Sequence, residues 1–128
     1  MKLFLDSANI DEIQQAESWD IIDGVTTNPS LMKKAVAALQ QAGEDIDMES
    51  YIKKILAIMG RMSPVSLEVA GLTADVMVEQ GRLLYEMFDP VAGNVVIKIP
   101  VCTVNGNGEG GPFAGISAIQ TLSEEHIP

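Results

Sequence analysis

The run Val95-Val96-Ile97-Lys98-Ile99 places a lysine inside a β-branched, apolar segment. Such segments favour extended backbone, and a nearly continuous apolar run is typical of a strand that is buried on both faces. Three other runs have a similar composition, at residues 2–6, 21–26 and 65–69. Helical patterns lie between the four runs. The sequence therefore predicts a parallel sheet whose strands are joined by right-handed crossovers.

Five helices are predicted between and after these strands. A capping-box pattern, Asn9 followed by Glu12, opens the first helix, and Asn28-Pro29 opens the second. Thr73 is predicted to cap the fourth helix, which should end before Pro90 because proline lacks the N–H that a helix interior needs. The predicted helices span about residues 10–18, 30–42, 48–59, 74–88 and 113–123.

The length of the chain limits the fold to two parallel arrangements. A complete eightfold α/β barrel of the TIM type takes about 250 residues, so a chain of 128 residues matches its first four strand-helix units, or half a barrel. An open four-stranded sheet fits the same length. Because no linker, composition shift or low-complexity tract interrupts the sequence, we expect a single domain over residues 1–128.

Charge and composition argue against several classes of partner. Acidic residues number 18 and basic residues 8, for a net charge of −10, so we expect no nucleic-acid partner and no membrane surface. No apolar run reaches the roughly 18–20 residues of a membrane span, and acidic Asp6 comes too early for a signal peptide. The single cysteine, Cys102, cannot form an internal disulfide, which favours a cytoplasmic location.

Polar residues interrupt the ends of the four apolar runs. In α/β folds of this kind, functional groups lie at the carboxyl ends of the strands, where the following loops surround them. Side chains alternate between the two faces of a strand, and the spacing allows all four strands to direct their polar residues to the same face. The candidate site residues are Asp6, Thr26, Asn28, Glu68 and Lys98.

Lys98 differs from the other lysines, which lie near the N-terminus or on predicted helices. Burial of an ammonium group is unfavourable unless the group is paired, and desolvation favours the neutral, nucleophilic amine. A lysine of this kind forms Schiff bases with carbonyl substrates. The alternative is structural: Lys98 forms an ion pair with Glu68, or its side chain reaches water at the end of the strand. The strand sequence alone leaves both interpretations open.

The two carboxylates, Asp6 and Glu68, also have two interpretations. As catalytic groups, one would exchange a proton with a substrate hydroxyl, and the other would activate water for imine formation and hydrolysis. As structural groups, they would neutralise Lys98 or cap a helix, since Asp6-Ser7 directly precedes the first helix. Asn28 likewise competes for a role as N-cap of the second helix.

A glycine-rich segment, residues 106–111, matches the pattern G-x-G-x-x-G. In a dinucleotide site the glycines follow the strand directly, and an acidic residue ends the next strand. Here the glycines begin several residues after the strand and that acidic residue has no counterpart, so we interpret the segment as flexible turns and predict no nucleotide cofactor. One cysteine and one histidine, Cys102 and His126, are too few for a zinc site, and no metal is predicted.

Four segments of the chain, in this order, resemble a known family. They are Leu3-Phe4-Leu5-Asp6-Ser7-Ala8-Asn9, Gly24-Val25-Thr26-Thr27-Asn28-Pro29-Ser30-Leu31, Ser66-Leu67-Glu68-Val69 and Asn94-Val95-Val96-Ile97-Lys98-Ile99-Pro100. Together they resemble the transaldolase family, closest to its short branch, which includes fructose-6-phosphate aldolase. Residues 115–122 look like the fourth helix of that family. The resemblance implies the N-terminal half of an (α/β)8 barrel.

The resemblance also implies a class I mechanism, which proceeds through a Schiff base. Lys98 matches the imine-forming lysine, Asp6 the acid/base aspartate, and Thr26 with Asn28 the pair that holds substrate hydroxyls. Glu68 matches the glutamate that positions the catalytic water in transaldolases, whereas the aldolase members carry glutamine there. The implied reaction is transfer of a dihydroxyacetone unit between sugar phosphates in the pentose phosphate pathway, with fructose-6-phosphate aldolase activity as an alternative.

Two departures from the family pattern bear on activity. The chain stops at Pro128, where the family enters its fifth strand, so the serine and arginine that bind the sugar phosphate are absent. Residues 104–112 also lengthen the loop after the catalytic strand. Because four strands leave open sheet edges and an uncovered apolar face, the competing hypothesis is a noncatalytic, truncated half-barrel that self-associates. A homo-oligomer is therefore expected.

Overall fold

The computed structural model describes residues 1–101, 111 and 113–128 of the chain. Four short strands alternate with helices, and an additional helix precedes the third strand, as predicted. The strands are β1 (Phe4–Asp6), β2 (Gly24–Thr26), β3 (Val65–Glu68) and β4 (Val95–Lys98). The helices are α1 (Ile10–Ser18), α2 (Pro29–Gln41), α3 (Met48–Met59), α4 (Ala74–Ala92) and α5 (Ala114–Glu124).

The strand order distinguishes between the two arrangements that the length allows. All neighbouring strands are parallel, and they follow one another in the order β1-β2-β3-β4. A doubly wound sheet reverses its order at a switch point and carries helices on both faces. In the present sheet every crossover advances in the same direction, so right-handed connections place the helices on one face. The prediction of half a TIM-type barrel is confirmed.

The two faces of the sheet differ in their surroundings. Alternate strand residues on the helix-covered face, such as Val25, Val65 and Val95, are buried and belong to the hydrophobic core. The opposite face, which lines the inside of a barrel, is less covered, and the Phe4 side chain on it is 38% exposed. The inner face of the four strands therefore combines apolar surface with the polar residues at the strand ends.

Helix α4 continues past Pro90, although the sequence predicted that it would end before this residue. Pro90 lies in the last turn, where it removes one N–H and thus one bond to the carbonyl of residue 86, and the helix ends two residues later. Gly93 then adopts a left-handed conformation, with φ of 65°, and its N–H donates to the Asp89 carbonyl at 2.7 Å. The glycine cap, rather than the proline, ends the helix.

The segment after α5 returns to the edge of β4. In the interior of the sheet, the Val65 N–H donates to the carbonyl of Asn94, the residue before β4, at 2.8 Å. At the edge, the Ile97 N–H donates to the Pro128 carbonyl at 2.7 Å. The Pro128 carbonyl thus accepts a bond from β4, just as the Asn94 carbonyl accepts one from β3. Both bonds are of the kind that joins neighbouring parallel strands.

A surface ion pair joins the last two helices. The Arg82 Nε of α4 donates to Glu125 Oε2, just after α5, at 2.8 Å. The Arg82 guanidinium holds the pKa of the Glu125 carboxyl below its usual range, mainly through this hydrogen bond. Both side chains are substantially exposed, so the pair contributes little to stability.

Candidate active site

The register of the sheet brings the predicted polar residues to one face. Glu68 of β3 is directly paired with Lys98 of β4, and Asp6 of β1 is paired with Thr26 of β2. Paired residues of neighbouring strands point to the same side. The predicted common face is therefore present, but its residues form two levels, because Asp6 and Thr26 align with Ser66 rather than with Glu68.

The upper level consists of an amine held by two oxygen atoms. Lys98 Nζ lies 2.8 Å from Glu68 Oε2 and donates to the main-chain carbonyl of Thr27 at 2.9 Å. The Lys98 side chain is 35% exposed and the Glu68 side chain 23% exposed. The ion pair that the sequence offered as an alternative is thus formed, yet about one-third of the Lys98 side chain remains exposed at the strand end. This arrangement restrains the amine within a pair of side chains that are only partly buried.

The lower level consists of a hydroxyl bonded to a carboxylate. Thr26 Oγ1 donates to Asp6 Oδ1 at 2.9 Å. Asp6 is exposed at the end of β1. Within the described part of the chain, no hydrogen bond joins this pair to Lys98. The two levels would therefore contact different parts of one extended ligand rather than the same atom.

Helix capping accounts for Asn28 but not for Asp6. Asn28 Oδ1 accepts the Leu31 N–H at 2.9 Å and caps α2, as the competing interpretation proposed. This bond uses only the amide oxygen, so the Asn28 amide nitrogen is not consumed by the cap. Neither Asp6 nor Ser7 is the N-cap of α1, because Asn9 fills that position. The Asp6 carboxylate is therefore not engaged as a helix cap.

Ser7 instead organises the start of α1 beside the site. Asn9 Oδ1 accepts the N–H groups of Asp11 and Glu12, as a capping box requires. The Glu12 carboxylate, however, accepts the Ser7 hydroxyl at 2.6 Å, and the same hydroxyl oxygen accepts the Asn9 N–H at 3.0 Å. The serine completes the box and fixes the backbone directly after Asp6.

Two of the cavities among the described residues differ in how they relate to the candidate site. One of about 200 Å³ adjoins the upper level and is bordered by Thr27, Asn28 and Glu68, with mostly apolar side chains behind them. A larger one of about 560 Å³ lies among α1, α2 and α3, on the outer helix layer. The smaller cavity shares residues with the candidate site, whereas the larger one is separate from the carboxyl ends of β3 and β4.

Several sequence-based expectations concern regions away from these strands. Residues 102–110, which include Cys102 and most of the glycine-rich segment, lie outside the described residues. His126 is exposed in the turn after α5. Among residues 1–101, 111 and 113–128, no cluster of three or more metal-ligating side chains is present. None of the helices in this part of the chain is long and apolar enough to cross a membrane.

Sequence reasoning missed one member of the upper level, the Thr27 carbonyl. Its contact with Lys98 is made by the main chain, and a backbone carbonyl carries no residue-type signature. The only available signal was the position of Thr27 between two candidate residues, Thr26 and Asn28. An alternating side-chain pattern directs Thr27 away from the site, and its side chain is indeed buried.

Comparisons with known proteins identify the family of the chain. The family model described as Transaldolase/Fructose-6-phosphate aldolase matches residues 3–128. The chain belongs to this family. A protein of Thermoplasma acidophilum named "Probable transaldolase" is 40% identical over 127 residues, which are 99% of this chain and 47% of that protein. A "Probable transaldolase" of Hydrogenobaculum sp. is 41% identical over 128 residues, covering 100% of this chain and 48% of that relative.

The chain thus spans about half the length of these relatives. Membership in the transaldolase/fructose-6-phosphate aldolase family accounts for the resemblance of the four strand motifs noted in the sequence. It also agrees with the half-barrel topology, since the sheet contains four of the eight strands of a complete barrel.

Proposed function

We propose that the chain supports a class I, Schiff-base transfer of a dihydroxyacetone unit between sugar phosphates. The observation that carries this proposal is the Lys98 amine, held at 2.8 Å from the Glu68 carboxylate and open to solvent, at the carboxyl end of a barrel strand. Catalytic groups of barrel enzymes occupy this end of the sheet. A cytoplasmic setting within the pentose phosphate pathway is part of the proposal.

In the proposed reaction, Lys98 is the nucleophile. Its neutral amine adds to the ketone carbon of the donor, and the carbinolamine loses water to give an imine. Glu68, which contacts the amine, would accept and return protons during the loss of water and during hydrolysis at the end of the cycle. The short distance between the two groups supports this division of roles.

Carbon–carbon bond cleavage is assigned to the lower level of the site. Asp6 would take the proton of the substrate hydroxyl next to the cleaved bond, and the electrons of that bond would move into the imine to form an enamine. Thr26, which donates to Asp6, and Asn28 would bind substrate hydroxyls. The enamine then adds to an acceptor aldehyde, and hydrolysis of the new imine releases the product.

Transfer is distinguished from simple aldol cleavage by the acceptor. With fructose 6-phosphate as donor, transfer requires a second aldose phosphate, whereas fructose-6-phosphate aldolase activity releases dihydroxyacetone without one. We expect product formation to depend on the acceptor and to disappear in Lys98→Met, which retains a flexible side chain without the amine. Chromatographic analysis of the products tests this, and acceptor-independent release of dihydroxyacetone would favour the aldolase alternative.

The second candidate is a noncatalytic half-barrel that self-associates. The exposed inner face of the described sheet, which includes Phe4, favours association because apolar surface is removed from water in an oligomer. Under this proposal the chain is a folded homo-oligomer without turnover. A monomer that turns over substrate would contradict it.

A further inference from the structure

We infer that Thr27 is a positioning residue for Lys98: it holds its own main-chain carbonyl at the place where this carbonyl accepts a hydrogen bond from the Lys98 amine. The inference rests on the proposed function, in which that amine is the nucleophile. The Thr27 side chain would contact neither substrate nor the Lys98 amine; only the main-chain carbonyl of Thr27 contacts that amine. Its effect would pass through the location and the bonding of the Lys98 amine.

The regular ladder between β2 and β3 ends at Thr27. The Thr27 N–H donates to the Ser66 carbonyl at 3.1 Å, as a parallel ladder requires. In a continued ladder the Thr27 carbonyl would then accept the Glu68 N–H. Among the described residues it accepts the Lys98 amine instead, at 2.9 Å. The end of the ladder thus makes a backbone oxygen available to an amine two strands away.

The Thr27 side chain fixes the orientation of this peptide. Its hydroxyl donates to the same Ser66 carbonyl at 2.8 Å, so one oxygen of β3 holds both the N–H and the hydroxyl of Thr27. Thr27 is 1% exposed, and its position inside the core prevents water from replacing the hydroxyl contact. The backbone that carries the carbonyl is therefore anchored to β3, the strand that lies between Thr27 and Lys98.

The two oxygen atoms around the Lys98 amine have different consequences. Glu68 carries a negative charge and lies on the adjacent strand, directly opposite Lys98. The Thr27 carbonyl is neutral, so it adds direction rather than charge. Together they occupy two of the three donor positions of the ammonium group. Loss of the fixed carbonyl would release the amine from one restraint without removing its counter-ion.

Thr27→Val tests the inference, because valine keeps the shape of threonine and removes only the hydroxyl. In this variant the Ser66 carbonyl still accepts the backbone N–H of residue 27, so no buried acceptor is left without a partner. Thr27→Ser restores the hydroxyl. Thr121→Val is the matched control. It removes a hydroxyl on α5 that donates to the Ser117 carbonyl at 3.2 Å, away from Lys98.

The first readout is competitive acetylation of lysines with a trace of acetic anhydride, quantified by mass spectrometry. The exposed lysine Lys34 on α2 serves as internal standard in the same molecule. We expect Thr27→Val to raise the Lys98-to-Lys34 labelling ratio by about threefold, the size expected when one ordinary hydrogen bond is weakened. Thr27→Ser and Thr121→Val should keep the wild-type ratio.

The second readout is borohydride trapping of Lys98 with fructose 6-phosphate. A freed but misplaced amine should be acetylated faster and trapped more slowly, and a purely structural role of Thr27 would not move the two rates in opposite directions. An unchanged labelling ratio in Thr27→Val, or a Thr27→Ser ratio equal to that of Thr27→Val, would overturn the inference. If Thr27→Val does not fold by circular dichroism, Thr27→Ala replaces it.

The two readouts separate this inference from the proposed function. If wild-type Lys98 is not trapped by the sugar phosphate, the Schiff-base proposal fails, while the acetylation ratio still tests the role of Thr27. If wild-type Lys98 is trapped and the acetylation ratio does not respond to Thr27→Val, the proposed function stands and the positioning role is refuted.

Discussion

At the scale of single residues, the pairing of Lys98 with Glu68 connects the sheet to its proposed chemistry. The pair is formed across two adjacent strands in register and is only partly shielded from water. An ion pair of this exposure adds little to stability, so folding alone does not account for it, and we propose a role in proton transfer.

Substitution of Glu68 by glutamine tests this role. Glu68→Gln keeps an oxygen near the amine and removes the charge and the proton acceptor, so we expect the rate of imine trapping with fructose 6-phosphate to fall by about 10²-fold. The free energy of unfolding should change little. Glu86→Gln, on the exposed surface of α4, is the matched control and should trap at the wild-type rate. Equal trapping rates for both variants would exclude proton transfer by Glu68.

The sequence predicted the common face of these side chains because side chains alternate along strands. That rule correctly placed Asp6, Thr26, Glu68 and Lys98 on one face. It could not predict that the residues occupy two levels, since the relative register of strands depends on long-range packing. It could not reveal the Thr27 carbonyl either, because every residue type carries the same backbone oxygen.

At the scale of elements, close backbone approach fixes α5 against the end of β4. A Cβ atom added at Gly115 would lie 2.6 Å from the Pro100 carbonyl oxygen and 2.9 Å from Val101 Cα. Backbone atoms cannot move away as a side chain can. Gly115 therefore sets how closely α5 follows the strand that carries Lys98.

Gly115→Ala should destabilise the protein because helix and strand must separate. We expect a loss of about 1–3 kcal/mol in the free energy of unfolding, measured with urea. Gly81→Ala is the matched control: its nearest contact is the end of the flexible Leu122 side chain, at 2.9 Å, and alanine favours the helix. Gly81→Ala should cost less, and the reverse order would contradict this packing.

Helix boundaries show where local sequence rules succeed. The caps at Asn9, Asn28 and Thr73 are all formed, because capping depends on a few adjacent residues. The predicted end of α4 was wrong, because the prediction treated Pro90 as a residue that a helix interior cannot contain. Pro90 forgoes one bond, from its own position to the carbonyl of residue 86, and the Gly93 N–H still pairs with the Asp89 carbonyl after it.

At the scale of the whole molecule, the strand order could not be read from local patterns. Alternating strands and helices fit both an open sheet and half a barrel, and only the spatial order β1-β2-β3-β4 separates them. That order leaves β1 and β4 as the edge strands of the described sheet. The proposed self-association would use the inner face between these strands.

If copies of the chain associate through this inner face, Phe4→Ser should weaken the oligomer. Phe4 is 38% exposed on the inner face, and serine removes most of that apolar surface. We expect sedimentation velocity to show a shift toward monomer. Phe113→Ser, at the start of α5, replaces a side chain that is 71% exposed elsewhere and serves as the control. A wild-type monomer would contradict association altogether.

The central claim is that Lys98 forms an imine with a ketose phosphate, and borohydride reduction tests it directly. The protein is incubated with fructose 6-phosphate and sodium borohydride, digested and mapped by mass spectrometry. We predict one stable adduct on Lys98, absent from Lys98→Met, with the exposed lysines Lys34 and Lys54 unmodified. Equal modification of all three lysines, or no adduct on Lys98, would contradict the account.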